Sequence, residues 1–309
     1  MLSGLFEDKP VYRKFLILVF IILLNTIIFS FIGGLLTDAL YGINMMENPN
    51  ALSNLEDPAV VGALKLLQIF TTGLGMFLIP SIIASILFSK SPSNYLSLQL
   101  PEKPIVLGLS ILLMFSAVPL INLIHIFNQQ LELPAFLSGI EEWMKQSEAN
   151  AQRITEVFLN IKTTQELYYN LLIVAILPAL GEEFLFRGVL QRLFKELTNN
   201  VHAAVIITAI LFSAIHMQFY GFFPRMLLGL MFGYLLVWTG SIWVPVIAHL
   251  INNGAAVIFA YYAQQNNLPF DQDTVGTGAG EWPLTIFSIA VVAILLFAIK
   301  RFGSSRQVQ

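Results

Sequence analysis

Residues 168–189 read YYNLLIVAILPALGEEFLFRGV. The run has the roughly 20 residues that a helix needs to cross a hydrocarbon core, yet Glu182, Glu183 and Arg187 fall inside it. Three charges within a span cost about 8–10 kcal/mol on insertion scales if left unpaired. The stretch therefore implies both a bilayer and partners for its charges. Glu183 and Arg187 stand four apart on one helical face, where an ion pair is natural. Glu182 is rotated by about 100° from Glu183 and needs a partner from another segment.

The rest of the chain agrees on the solvent. Of 309 residues, 56% are hydrophobic and 11% charged, and the mean hydropathy is +0.74, whereas soluble domains carry about 25% charged residues. Seven further apolar runs lie at approximately Phe15–Leu36, Leu64–Phe88, Pro104–Phe127, Ala203–Met217, Met226–Trp238, Ile242–Tyr262 and Pro283–Ile299. The fold expected is all-α, a polytopic transmembrane bundle of about eight spans. Barrel strands would alternate apolar and polar residues, and these runs do not. The first run follows Arg13 and Lys14 and exceeds the 7–15-residue apolar core of a signal peptide, so it reads as a retained span.

Orientation follows from Lys and Arg, which accumulate on the cytoplasmic side. With the N-terminus inside, the inner segments hold Lys9, Arg13, Lys14, Lys90, Lys103, Arg192, Lys195, Lys300, Arg301 and Arg306; the outer ones hold Lys145, Arg153, Lys162 and Arg225. Both termini are thus expected inside. The outer connections are acidic, with Asp38, Glu47, Glu56 and Asp57 in one and Asp271, Asp273 and Glu281 in another. Between spans three and four, residues 128–166 suggest an amphipathic helix capping the bundle at the outer interface. No internal repeat is visible. The chain divides into N-terminal spans with the amphipathic outer segment (1–165), a charged helical core (166–262), and an outer loop, last span and basic tail (263–309).

Composition also excludes whole classes of chemistry. A net charge of −3 lacks the clustered basic face that nucleic acid requires. Without cysteine there is no disulfide, thiolate nucleophile or Cys-held zinc. Chemistry must come from carboxylates, hydroxyls, amides and four histidines.

Two other spans place such groups in the membrane. Residues 212–216 read FSAIH, and residues 249–253 read HLINN, with His249 and Asn253 on one face. Asn252 competes with Asn253 as the amide facing a site, and spacing favours Asn253. Glu182 lies 17 residues before Asn199 and His216 lies 17 after it, so both sit about 25 Å from the turn between spans four and five. His249 lies only about 13 Å from the next inner turn, at Gly240–Ser241. The clusters converge only if the first turn projects about 10 Å beyond the second. Simpler readings suffice elsewhere: Lys65 snorkels, Asn122 and His125 sit near the outer end of span three, His202 lies at an inner turn, and Gly229 and Gly233 permit close helix packing.

Water is the expected nucleophile, because no Ser–His–Asp set or G-x-S-x-G elbow can be assembled from these spans. A carboxylate can act as general base, an imidazole can share that work, and a second imidazole with an amide can donate to a developing oxyanion. Alternatively, His216, His249 and one glutamate could hold a catalytic zinc ion, although no H-E-x-x-H helix is present.

The three motifs, E-E-x-x-x-R at 182–187, F-x-x-x-H at 212–216 and H-x-x-x-N at 249–253, stand in order on separate spans. In this the chain resembles the CPBP group of intramembrane proteases, which includes the type II CAAX prenyl endopeptidase of eukaryotes and bacterial Abi-type proteins linked to bacteriocin processing and self-immunity. The resemblance covers about residues 168–262. It implies that Glu182 with His216 activates the hydrolytic water, that His249 and Asn253 are oxyanion donors, and that Glu183 and Arg187 order the site. Such proteins are described both as metalloproteases and as glutamate-type hydrolases, so a zinc ion remains open.

The expected activity is hydrolysis of a peptide bond in a membrane-associated protein or peptide, inside the bilayer, which in a bacterium is the cytoplasmic membrane. Rival readings are a proton-coupled transporter, since intramembrane Glu, His and Arg also form proton relays, and a non-catalytic scaffold or immunity protein.

Overall fold

The computed structural model describes residues 3–48, 50–268, 275–278 and 280–303; Asp271, Asp273 and Arg306 lie outside them. It is a bundle of helices: α1 (Val11–Tyr41), α2 (Pro58–Phe88) and α3 (Ile105–Gln129), α4 (Ser138–Leu159), α5 (residues 164–198), α6 (Val201–Ala214), α7 (Phe222–Thr239), α8 (Trp243–Gln265) and α9 (Trp282–Phe302). The chain is an integral, multi-pass membrane protein. Each of the eight expected spans corresponds to one of these helices, and the amphipathic outer segment corresponds to α4.

Local chemistry fixes the helix ends. Asp57 caps α2 by accepting from Ala59 N–H, and Thr163 with Glu166 forms a capping box at the start of α5. Asn199 ends α5 in the left-handed region at φ 51, and Asn200 then caps α6 by accepting from His202 and Ala203. A two-residue turn thus joins antiparallel helices.

Among the described residues, six helices are long and apolar enough to cross a membrane by length and composition. The other two expected spans depart for different reasons. In α5 the apolar run is interrupted by Glu182, Glu183 and Arg187. In α6 the 14 residues extend about 21 Å, short of a hydrocarbon core of about 30 Å, so its outer end stops inside the bundle beneath α4. His216 accordingly lies in the turn after α6 rather than within the fifth span.

Both α2 and α5 contain wide, π-helical turns. In α2 these span Gln68–Leu78 and in α5 Leu171–Ile176 and Phe184–Leu190. The first two stop just ahead of Pro80 and Pro178. A proline lacks an N–H and clashes with the carbonyl four residues back, and a wider turn accommodates it. The third carries Arg187.

The ends of the bundle segregate as an even number of spans requires. At one end lie the N-terminal segment, the 89–104 connection, the 199–200 and 240–242 turns and the end of α9. Lys14 of α1 meets Glu196 of α5 there at 3.0 Å. The opposite end is closed by α4, with Gln264 of α8 bonded to Leu159 O at 3.0 Å. Outermost are α1 and α9, whose Leu16, Phe20, Phe287 and Phe297 are exposed; α1 packs along α2 and α9 along α3. The interior positions belong to α2, α5, α7 and α8.

The clusters converge, with His249 meeting Glu183 at 2.8 Å, and the two inner turns differ in burial. Asn199 and Asn200 are exposed, whereas residues 239–242 are buried. The 89–104 connection folds inward beneath the second turn: Ile242 N–H donates to Ser97 O at 2.9 Å, Gln99 to Gly240 O at 2.8 Å, and the Trp243 indole to Leu98 O at 2.8 Å. This recess lifts His249 to the depth of α5's charges. Lys65 is buried, with its ammonium over the Phe158 ring of α4 at the outer end of the bundle.

Candidate active site

At the centre of α5, Glu183 is fully buried and Arg187 is 1% exposed. Arg187 donates through NH1 to Glu183 Oε1 at 2.9 Å and through NH2 to the carbonyl of Gly229 on α7 at 3.1 Å. Its guanidinium lies 4.5 Å from the Phe212 ring centroid and 5.3 Å from that of Phe232, faces that attract a cation. The i,i+4 pair expected from spacing is therefore held from α6 and α7 as well.

Two glycines make this possible. A Cβ on Gly229 would lie 3.0 Å from Ala209 Cα, so α6 and α7 could not approach as they do. A Cβ on Gly233 would lie 2.9 Å from Gln191 Oε1, displacing the side chain that donates to the Gly233 carbonyl. These glycines thus present main-chain acceptors to α5 in addition to permitting close packing.

Opposite Arg187, His249 of α8 donates from Nδ1 to Glu183 Oε1 at 2.8 Å. A carboxylate only accepts, so Nδ1 carries the hydrogen. Nε2 faces Asn253 Nδ2 at 3.2 Å and Glu182 Oε2 at 3.9 Å. The imidazole stacks on Phe232, with ring centroids 5.1 Å apart and planes at 18°. Asn253 also donates to Val174 O at 3.0 Å and accepts from Asn252 at 3.1 Å. Asn253 is therefore the amide at the imidazole, and Asn252 supports it.

His216 stands on the other side of Phe212. Its Nδ1 donates to the Phe212 carbonyl at 2.8 Å, which leaves the Nε2 lone pair as its acceptor. The Phe212 ring lies 5.3 Å from His216 and 6.0 Å from His249. The phenylalanine of the F-x-x-x-H motif is thus a spacer shared by both imidazoles and Arg187. Glu182, 8% exposed, is close enough to act electrostatically on His216.

The structure brings Glu182, Glu183, Arg187, His249 and Asn253 into one connected cluster and sets His216 beside it. Phe232 and Val174 belong to the same network and escaped the sequence reading, as did the acceptor role of Gly229, which was read only as a packing residue; a main-chain acceptor or an aromatic face carries no motif. A metal ion fits this arrangement poorly. Both nitrogens of His249 are engaged, and among the described residues no three His, Asp or Glu side chains form a metal-holding group.

Residues 164–255 match the family model described as type II CAAX prenyl endopeptidase Rce1-like. Over this stretch the chain is similar to the Rce1-like family. The matched residues include all three motifs, as the resemblance to CPBP proteases required. The chain is also similar to the membrane-embedded CAAX protease MroQ of Staphylococcus aureus (strain USA300), 36% identical over 92 residues. That alignment covers 28% of this chain and 37% of MroQ, so it spans little more than a third of that protein. No solved structure matches the chain. The spans before residue 164 lie outside the Rce1-like match.

Proposed function

We propose that the chain is an intramembrane endopeptidase that hydrolyses a peptide bond of a membrane-associated protein or peptide, with water activated by Glu182 and His216. One observation carries the reading: of two adjacent buried glutamates, Glu183 is bound by Arg187 and His249, whereas Glu182 approaches His249 only to 3.9 Å. A carboxylate kept free of close ion pairs, near an imidazole with an open lone pair, has the makings of a general base.

In the proposed reaction, water lies between Glu182 and His216. One of them accepts a proton as the water oxygen bonds to the carbonyl carbon, and the carbonyl π electrons move to oxygen. When His249 is protonated at Nε2, the Asn253 amide hydrogen that faces that nitrogen is released, and both groups donate to the oxyanion while Glu183 steadies Nδ1. The tetrahedral intermediate collapses, the C–N bond breaks, and the leaving amine receives the abstracted proton. Removing a donor from such a site lowers kcat by about 10²–10³. Glu183 and Arg187 stay charged throughout and orient the imidazole.

No step is routed through a metal. Chelator treatment of the purified protein is therefore expected to leave the rate unchanged, and loss of activity that zinc restores would overturn this mechanism. The substrate class is tested by comparing membrane proteomes of wild-type and Glu182→Ala cells. Uncleaved precursors should accumulate in the variant. Full proteolysis by both Glu182→Ala and His216→Ala proteins in detergent would overturn the assignment, and retained biological activity in those variants would favour the scaffold reading.

A further inference from the structure

His216 is carried by the turn that links α6 to α7, and this turn satisfies few of its own main-chain groups. His216 N–H donates to Ser213 O at 3.3 Å, Met217 N–H to Ala214 O at 3.1 Å and Gly221 N–H to Gln218 O at 3.4 Å. Side chains from three other helices satisfy the next ones. Asn128, buried at the end of α3, donates to Phe219 O at 2.9 Å and accepts from Phe223 N–H at 2.8 Å. Arg225 of α7 donates to the Gln218 carbonyl and to its side-chain oxygen. From α4, Ser147 Oγ donates to Met217 O at 3.0 Å, and Glu148 Oε2 accepts from Tyr220 N–H at 3.1 Å. The Trp143 ring of α4 lies 5.1 Å from that of Phe219.

Met217, next to His216, sits at φ 54. A residue with a side chain holds that conformation only when its surroundings impose it. Asn128 and Arg225 belong to helices built into the bundle. By contrast α4 has a single buried side chain, Phe158, and of its polar contacts to the turn the Ser147 bond is exposed and the Glu148 bond half-buried.

We propose that α4 is a positioning clamp for His216: Ser147 and Glu148 fix the main chain at 217 and 220 and so set the direction of the imidazole. This rests on the role given to His216 above. Without the two contacts the Met217 carbonyl and Tyr220 amide lose their partners, the turn relaxes, and the Nδ1 bond to Phe212 O no longer fixes where Nε2 points. Ser147 and Glu148 act through His216 and are positioning residues.

The chain has only four histidines, so its imidazole nitrogens give a sparse spectrum. The test uses the full-length protein, ring-15N-labelled at histidine in detergent, with His125, His202, His216 and His249 assigned by single His→Gln variants. Combined Ser147→Ala and Glu148→Ala substitution should shift the His216 ring signals and leave those of His202, at the other end of α6, in place. Glu148→Gln keeps an acceptor oxygen and should preserve the wild-type spectrum. On any substrate the wild type cleaves, the double variant should lose about tenfold in kcat with KM nearly unchanged. Unmoved His216 signals would overturn the clamp, as would equal disturbance of His202, which would mark α4 as general support for the fold. The spectrum needs no turnover, so absence of proteolysis would overturn the proposed function and leave this test standing.

Discussion

Glu182 and Glu183 are consecutive residues on one helix, and the two halves of the site they enter differ in kind. Around Glu183 the contacts are closed to solvent: Arg187 and His249 both donate to Oε1, with the Gly229 carbonyl and the faces of Phe212 and Phe232 around them, while Oε2 and Arg187 Nε are buried without a hydrogen-bond partner. Around Glu182 they are loose, with the nearest ion-pair distance at 3.9 Å and His216 on a turn held from outside. One residue of helix rotation, about 100°, separates a carboxylate committed to structure from one left available. A membrane interior makes such a division necessary, because an ionised group there must either be paired or stand in a polar cavity.

The comparison is broken most sharply at its two glutamates. Glu182→Gln should lower the rate of peptide hydrolysis by about 10²–10⁴, while the midpoint of thermal unfolding in detergent stays close to that of the wild type. Glu183→Gln should behave in the opposite order. It leaves the Arg187 charge buried without its partner, which destabilises by about 3–5 kcal/mol, visible as a lowered unfolding midpoint before any assay of activity. Arg187→Lys should not substitute, because a single ammonium cannot span Glu183 and the Gly229 carbonyl as the planar guanidinium does. Equal losses of stability in the Glu182 and Glu183 variants would erase the distinction between the halves.

The closed half was more legible than the open one. Charged residues are scarce in this chain, so Glu183 and Arg187 stood out against an apolar run and their spacing alone gave the pair. The helices were legible for the same reason. What stayed hidden depends on groups without a signature. The carbonyls of Gly229 and Gly233, the recess of the 240–242 turn beneath residues 96–99, and the wide turns within α2 and α5 are main-chain features. His216 was placed within a span because Ala203–Met217 is continuously apolar apart from small polar residues. Only the structure shows α6 ending at Ala214, where α4 and Asn128 take over the main-chain hydrogen bonds. Asn128 did leave a trace, an amide closing an apolar run, but nothing in its neighbours says which distant turn it holds.

Smaller changes sharpen the comparison by loosening the closed half without removing a charge. Gly229→Ala inserts a methyl 3.0 Å from Ala209, and overpacking of that kind costs about 1–3 kcal/mol. Because α7 must retreat to relieve it, Arg187 should lose the Gly229 carbonyl, and the unfolding midpoint should fall while Gly108→Ala, with open space around its Cβ, leaves it unmoved. Phe232→Leu is the mildest test. It keeps an apolar side chain but removes the face on which His249 stacks and one that attracts Arg187, a difference of about 0.5–1.5 kcal/mol. If Glu183 and Arg187 alone fix His249, this variant will cleave substrate as the wild type does. If the aromatic face is part of what aims Nε2 at the oxyanion, kcat will fall by about two- to twelvefold for that energy with KM unchanged, and the closed half will have proved to act on chemistry through orientation alone.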